Sequence, residues 1–263
     1  MSDAPRTILL VIEYDGTDFV GWQQQAPGQR SVQATLAAAI HGMTGEHPTL
    51  RASSRTDSGV HALGLPVTFE TASSIRRVGF LRGLNTLLPA DLSVRAVWDV
   101  PQGFDVRKSS RGKRYRYDVW NGPWRSATRG RQSWWVRGAP LDRAAMRAAG
   151  AHLLGEHDFS SFRAAHCDSL SVCRCLTRVD VLEPEPHLVR IVVEGNAFLQ
   201  HMVRIIAGTL VDAGHRRRTP DDVAAILAAR DRTLAGMTAP AHGLTLERVF
   251  YELPPEAVGE GDV

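Results

Sequence analysis

Ser53-Ser54-Arg55-Thr56-Asp57-Ser58-Gly59-Val60-His61-Ala62-Leu63-Gly64 is a polar turn set between two strand-like runs. Turn chemistry accounts for its centre: an Asp side chain caps its own turn and a Gly supplies positive φ. Pro48 to Ser53 reads as a short strand leading in, and Leu65 to Glu70 as another leading out. Two strands joined here fix the middle of the N-terminal half, and the rest is read outward from them.

Thr7 to Tyr14 is a continuous apolar run, the pattern of a central strand, and Asp15-Gly16 breaks it. After a loop containing Gly21, Trp22 and Gln23, Ser31 is a good N-cap. Val32, Leu36, Ile40 and Met43 follow it at helical spacing. Ile75 to Leu88 carries apolar residues at Val78, Leu81, Leu84 and Leu88, a helix stopped by Pro89. Leu92, Val94, Ala96, Trp98 and Val100 alternate with other residues, as in a half-buried strand. Strand, helix, strand, strand, helix, strand is the ferredoxin-like order.

The order recurs beyond a linker at Pro101 to Arg111. Arg114 to Trp120 reads as a strand, and Leu141 to Leu154 as a helix with Leu141, Ala145, Ala148 and His152 near one face. Val172 to Leu182 and Leu188 to Glu194 are strands joined by Glu183-Pro184-Glu185-Pro186. Leu199 to Gly214 is an apolar helix. Asp221 to Arg230 is a short helix capped by Thr219 with Pro220 first, and Leu246 to Leu253 closes the chain as a strand. The expectation is an α+β chain of two halves, 6–105 and 106–254, followed by a disordered tail at 255–263.

Of the 263 residues, 43% are apolar and 22% charged, ordinary values for a globular protein. No apolar run approaches the roughly 20 residues needed to span a bilayer, and no signal-like segment opens the chain. Cys167, Cys173 and Cys175 cannot all pair, which suits a reducing cytoplasm. With His166 they match no ordinary zinc spacing; buried free Cys usually behaves as a small hydrophobe. Phosphate loops of the Walker type and Gly-x-Ser-x-Gly elbows are absent from the sequence, against nucleotide hydrolysis and serine esterase chemistry.

The net charge of +3 says less than its distribution. Arg107, Lys108, Arg111, Lys113, Arg114 and Arg116 form one basic cluster, and His215 to Arg218 a second. On a strand, Tyr115 and Tyr117 share one face and Arg114 and Arg116 the other. Aromatic faces stack on exposed bases and Arg pairs with phosphates, so the composition suits RNA; strand patterning alone favours an edge strand with a solvated face. Trp124, Arg125, Arg129, Arg131, Trp134 and Trp135 continue the mixture. Arg204 lies among Met202, Val203, Ile205 and Ile206. There it is either a snorkelling surface residue or a half-buried cation with a carboxylate or phosphate partner. Arg216, Arg217 and Arg218 follow a helix end, where both the dipole and a phosphate would favour them.

Arg55-Thr56-Asp57-Ser58-Gly59-Val60-His61-Ala62 resembles the catalytic loop of TruA-type tRNA pseudouridine synthases, the tRNA pseudouridine(38-40) synthase family. Other segments resemble the same family in the same order. They are Tyr14-Asp15-Gly16-Thr17 with Gly21-Trp22-Gln23, Ser31-Val32-Gln33, Asn85 with Leu88-Pro89, Arg114-Tyr115-Arg116-Tyr117, His201-Met202-Val203-Arg204 and Gly243-Leu244. Ser54 and Ser58 depart from it, standing where Gly and Ala are usual.

The resemblance implies a catalytic Asp57, an active-site Tyr115 and an Arg204 that pairs with the catalytic carboxylate. It implies isomerisation of uridines in the tRNA anticodon stem-loop by a cytoplasmic homodimer, without cofactor or metal and away from any membrane. It also implies one mixed, mostly antiparallel sheet made from both halves, with helices packed on it and a catalytic cleft between them. Arg55, His61, Arg107, Arg114, Arg116, Arg216, Arg217 and Arg218 are the expected substrate contacts, with Tyr115 stacking on the base. The chemistry breaks the N1–C1′ bond, turns the uracil and rejoins it through C5; a carboxylate serves as nucleophile or as a base on the sugar. A non-catalytic RNA-binding protein, or a hydrolase with an aspartate nucleophile, is the competing reading.

Overall fold

The computed structural model describes residues 5–25, 28–165, 167 and 169–251. The expected tail at 255–263, residues 252–254, His166 and Asp168 lie outside them. The chain forms two compact units, one of residues up to Arg111 together with those from Leu246 onward, the other Gly112–Thr245.

In the first unit β1 (Arg6–Tyr14) lies between β3 (His61–Thr71) and β4 (Leu92–Val100), antiparallel to both. The strand order here is β4-β1-β3, and the short β2 (Arg51–Ala52) pairs with β3 off that path. Both faces of β1 are buried, which explains its unbroken apolar run. The Ile8 face meets the helices: Ile8 pairs with Phe69, and Phe69 packs edge-on against Phe80 of α2 (Arg77–Leu87). On the other face Leu9 clusters with Val100, Val106, Trp98, Phe104 and Tyr251. Burying such side chains contributes roughly 1.5–3 kcal/mol each.

Ser31 caps α1 (Val32–Thr44) as expected, its Oγ accepting from Ala34 N–H at 3.2 Å. Leu88 is extended because Pro89 disfavours a helical residue before it, and α2 stops there. Asn85 fastens α2 to β4, donating to Val94 O and accepting from Val94 N–H, both at 2.8 Å. Three expectations are corrected. The strand expected at Pro48 to Ser53 shrinks to two residues, and β3 begins at His61 rather than Leu65. The helix expected from Ile75 starts at Arg77, and Val78 faces outward while Phe80 enters the core.

The second unit has the order β5-β9-β8-β7, with β5 (Ser110–Trp120), β6 (Trp134–Trp135), β7 (Gly155–Asp158), β8 (Cys173–Glu185) and β9 (Leu188–Gly195). β6 runs parallel to the end of β5. The helices are α3 (Arg143–Ala151), α4 (Met202–Gly214) and α5 (Pro220–Ala229). Thr219 and Asp222 form a capping box on α5, with Pro220 at its start. The buried face of α3 is Met146, Ala149 and Gly150 rather than the expected one; Ala148 is exposed. α4 begins at Met202, not Leu199, because His201 takes a left-handed conformation. The last strand, β10 (Leu244–Tyr251), follows α5. Strands and helices in each unit make the chain α+β. Among the described residues no helix is long and apolar enough to cross a membrane.

Candidate active site

Asp57 occupies an irregular loop with no ladder of its own, so its geometry comes from what the loop rests on. That support is the stretch from Tyr14 to Trp22. Trp22 N–H donates to Thr56 O at 3.1 Å, and Gly59 N–H and Ser58 Oγ both donate to Phe19 O at 3.3 Å. Val60 N–H closes the turn onto Asp57 O at 3.2 Å. Beneath it the Tyr14 and Thr56 hydroxyls lie 2.8 Å apart in the buried interior. Gly59 has φ +78° and supplies the positive φ that the turn needs.

Gly21 makes the close approach possible. Its φ is +104°, and a Cβ there would sit 2.6 Å from Thr56 O. Phe19 is itself fixed, edge-on to Tyr14 and beneath the Arg30 guanidinium at 4.1 Å. Arg30 is held by two hydrogen bonds to Asp91, of 2.7 and 2.6 Å. Val32 N–H donates to Gly21 O and Gln33 N–H to Trp22 O, which ties this support to the first turn of α1. The sequence segments 14–17, 21–23 and 31–33 are thus the seat of the Asp57 loop.

Arg55 is exposed and Asp57 half-buried on this seat. His61 is buried: its Nδ1 accepts from Gly16 N–H at 3.0 Å, with Asp15 Oδ1 3.1 Å from the same nitrogen. Arg107 is exposed, on a turn shaped by Asp105, whose carboxylate accepts from the N–H groups of Arg107 and Lys108. Those bonds hold the Asp105 carboxyl below its ordinary range.

In the second unit Tyr115 is buried and packs edge-on against Phe198, their ring centres 5.0 Å apart. Tyr117 is fully buried and donates to Pro240 O at 2.7 Å; burial raises its pKa, against the nearby positive charge of Arg204. Arg204 is half-buried on α4, with its Nε donating to Ala239 O at 2.8 Å and its own carbonyl accepting from Ala239 N–H at 3.1 Å. The segment around Ala239 and Pro240 therefore links Arg204 to Tyr117, and no local pattern in the sequence announced it.

The basic residues divide by partner. Arg114 donates to Glu194 at 2.8 Å, its opposite number on β9, and Arg116 lies 3.9 Å from Asp118. Arg216 bonds Asp142, and Arg217 and Arg218 each lie 3.5 Å from Asp212. Among the described residues no group of three or more His, Cys, Asp or Glu side chains could hold a metal ion.

A half-exposed carboxylate on a rigid loop can attack a sugar or base carbon, or take a proton, with little reorganisation. The sequence matches the family model described as tRNA pseudouridine synthase over residues 10–107 and 149–252. Tyr115 falls between those stretches. It is 46% identical over 248 residues to "tRNA pseudouridine synthase A" of Myxococcus xanthus, covering 94% of this chain and 93% of that one. It is 43% identical over 246 residues to the protein of the same name from Geotalea uraniireducens (strain Rf4), covering 94% and 100%. Among solved structures it aligns with "Structure of H/ACA RNP bound to a substrate RNA containing 2'-deoxyuridine" at TM-score 0.38 and 16% identity, over 92% of this chain and 49% of that one. With a loop seated for a carboxylate and matched sequence on both sides of its centre, this chain belongs to the tRNA pseudouridine synthase family.

Proposed function

We propose that the chain isomerises uridines of the tRNA anticodon stem-loop to pseudouridine, with Asp57 as the catalytic carboxylate. The observation that supports it is the fixing of the Asp57 loop at Thr56, Ser58, Gly59 and Val60, with Asp57 itself half-buried. Arg204 supplies positive charge to the reacting centre, and Tyr115 offers its ring to the uracil and helps remove the C5 proton. His61, expected as a substrate contact, is buried beside Asp15 and Gly16 and acts instead by holding the end of the Asp57 loop. The target base first leaves its stack, at a cost of a few kcal/mol. Phosphate contacts from Arg55, Arg107, Arg114, Arg116, Arg216, Arg217 and Arg218 offset that cost. The enzyme works as a homodimer in the cytoplasm and uses no cofactor.

The test is pseudouridine mapping on a mixed tRNA pool incubated with wild type and with Asp57→Asn. The wild type is expected to convert anticodon stem-loop uridines in EDTA, and the variant to bind tRNA without converting any. A wild type that binds tRNA but leaves every uridine unchanged would establish the non-catalytic reading instead.

A further inference from the structure

The loop that joins β5 to β6, residues 121–133, carries an aromatic side chain that the proposed chemistry does not use and the fold leaves largely exposed. Trp124 is 62% exposed. Its backbone, by contrast, is tightly held: Trp120 Nε1 donates to Trp124 O at 2.8 Å, and Trp135 Nε1 to Gly122 O at 3.1 Å. Ser126 Oγ accepts from Arg129 N–H, and Ser133 Oγ donates back to Arg129 O at 2.8 Å. His187, at the β8–β9 turn, stands edge-on to Trp120 and to Trp124, and its carbonyl accepts from Asn121 N–H at 2.8 Å. The indole touches His187 edge-on, yet most of its surface faces outward from a held loop. It is presented.

The surrounding charge narrows what it is presented to. From Val119 to Leu141 the sequence contains Arg125, Arg129, Arg131 and Arg137 and no Asp or Glu. Arg129 is paired with Glu185, and Arg137 lies over the Trp135 ring at 4.4 Å. Arg125, next to Trp124, is exposed and makes no ion pair among the described residues. A second copy of the chain meeting this loop across a two-fold axis would set like charges together, which is unfavourable. A polyanion with exposed ring faces meets no such obstacle. The stretch also falls between the two segments matched by the family model.

We propose that Trp124 and Arg125 form an RNA-docking surface, Trp124 stacking on an unpaired base of the tRNA while Arg125 pairs with an adjacent phosphate. The proposal rests on the tRNA reading given above and adds a contact outside its catalytic set. Base–aromatic stacking of this kind is expected to be worth roughly tenfold or more in affinity.

The experiment measures KM, kcat and tRNA affinity for full-length Trp124→Ala, Trp124→Phe and Arg125→Glu. Thermal melting and sedimentation are run on each. Trp124→Ala is expected to raise KM and Kd by about tenfold with the loss in KM rather than kcat, and Trp124→Phe to recover most of it. Arg125→Glu is expected to weaken binding and to flatten its salt dependence. Unchanged Kd in folded Trp124→Ala and Arg125→Glu variants would overturn the proposal. So would loss of self-association in Trp124→Ala with unchanged tRNA affinity per subunit, which would make the surface a protein interface. A wild type that binds tRNA but converts no uridine fails the catalytic reading and leaves the docking surface to be judged by Kd, whereas an active wild type with indifferent variants fails only the docking surface.

Discussion

The Tyr14 hydroxyl lies 2.8 Å from the Thr56 hydroxyl, so a side chain at the end of β1 is bonded to the residue immediately before Asp57. Removing the Tyr14 hydroxyl takes away the partner of the buried Thr56 hydroxyl, at a cost of about 1–3 kcal/mol. Tyr14→Phe is expected to lower stability by that amount in urea unfolding and to reduce kcat through misplacement of the loop. A Tyr14→Phe/Thr56→Val double variant should recover part of the stability, because the Thr56 hydroxyl is then gone as well.

Gly21→Ala should be more severe. The left-handed backbone alone costs a residue with a Cβ about 1–2 kcal/mol, and that Cβ would press on Thr56 O at 2.6 Å. The seat and the loop must then move apart. A large fall in kcat with tRNA affinity changed much less is expected in steady-state and filter-binding measurements.

Arg204→Lys keeps the charge and discards the geometry. Lysine has no Nε–H to donate sideways to Ala239 O, so the 2.8 Å bond is lost while the positive charge persists. Turnover is expected to fall by about a hundredfold, with melting temperature close to wild type. Near-normal turnover in single-turnover assays would show that charge alone is required at this position.

Acid stability should depend on carboxylates at helix starts. Asp142 is held below its ordinary value of 3.8, first by the Ala145 N–H and then by Arg216, and Asp222 likewise by the Thr219 N–H. A carboxyl whose pKa is lower in the folded state stabilises above its unfolded value, and loses that contribution as pH falls through the folded value. The melting temperature should therefore drop below about pH 4. In Asp142→Asn the wild-type advantage should be present at pH 7 and shrink in that acid window.

Local chemistry was legible in the sequence, and partners distant in the chain were not. Ser31 and the Thr219–Pro220 pair marked helix starts correctly because a cap depends on neighbours three residues away. β1 and β4 were legible from apolar pattern for the same reason. The face of α3 was misread because Ala is neutral on burial, and packing against its neighbours decides which Ala turns inward. Helix α4 starts late because His201 adopts a positive φ that its residue type does not advertise. At the site, the turn around Asp57 was visible as Asp-Ser-Gly, whereas its dependence on Gly21 and Phe19 joins segments far apart in sequence. The pairing of Arg114 with Glu194 follows from strand register, which side-chain pattern alone leaves open.

The seating of the Asp57 loop on the stretch from Tyr14 to Trp22 also sets an order of events in synthesis. Chains emerge N-terminus first, so the cradle and the helix that anchors it leave the ribosome before the loop they receive. Asp57 therefore follows the segment that seats it, and both wait for β3 and β4 to close the sheet around β1.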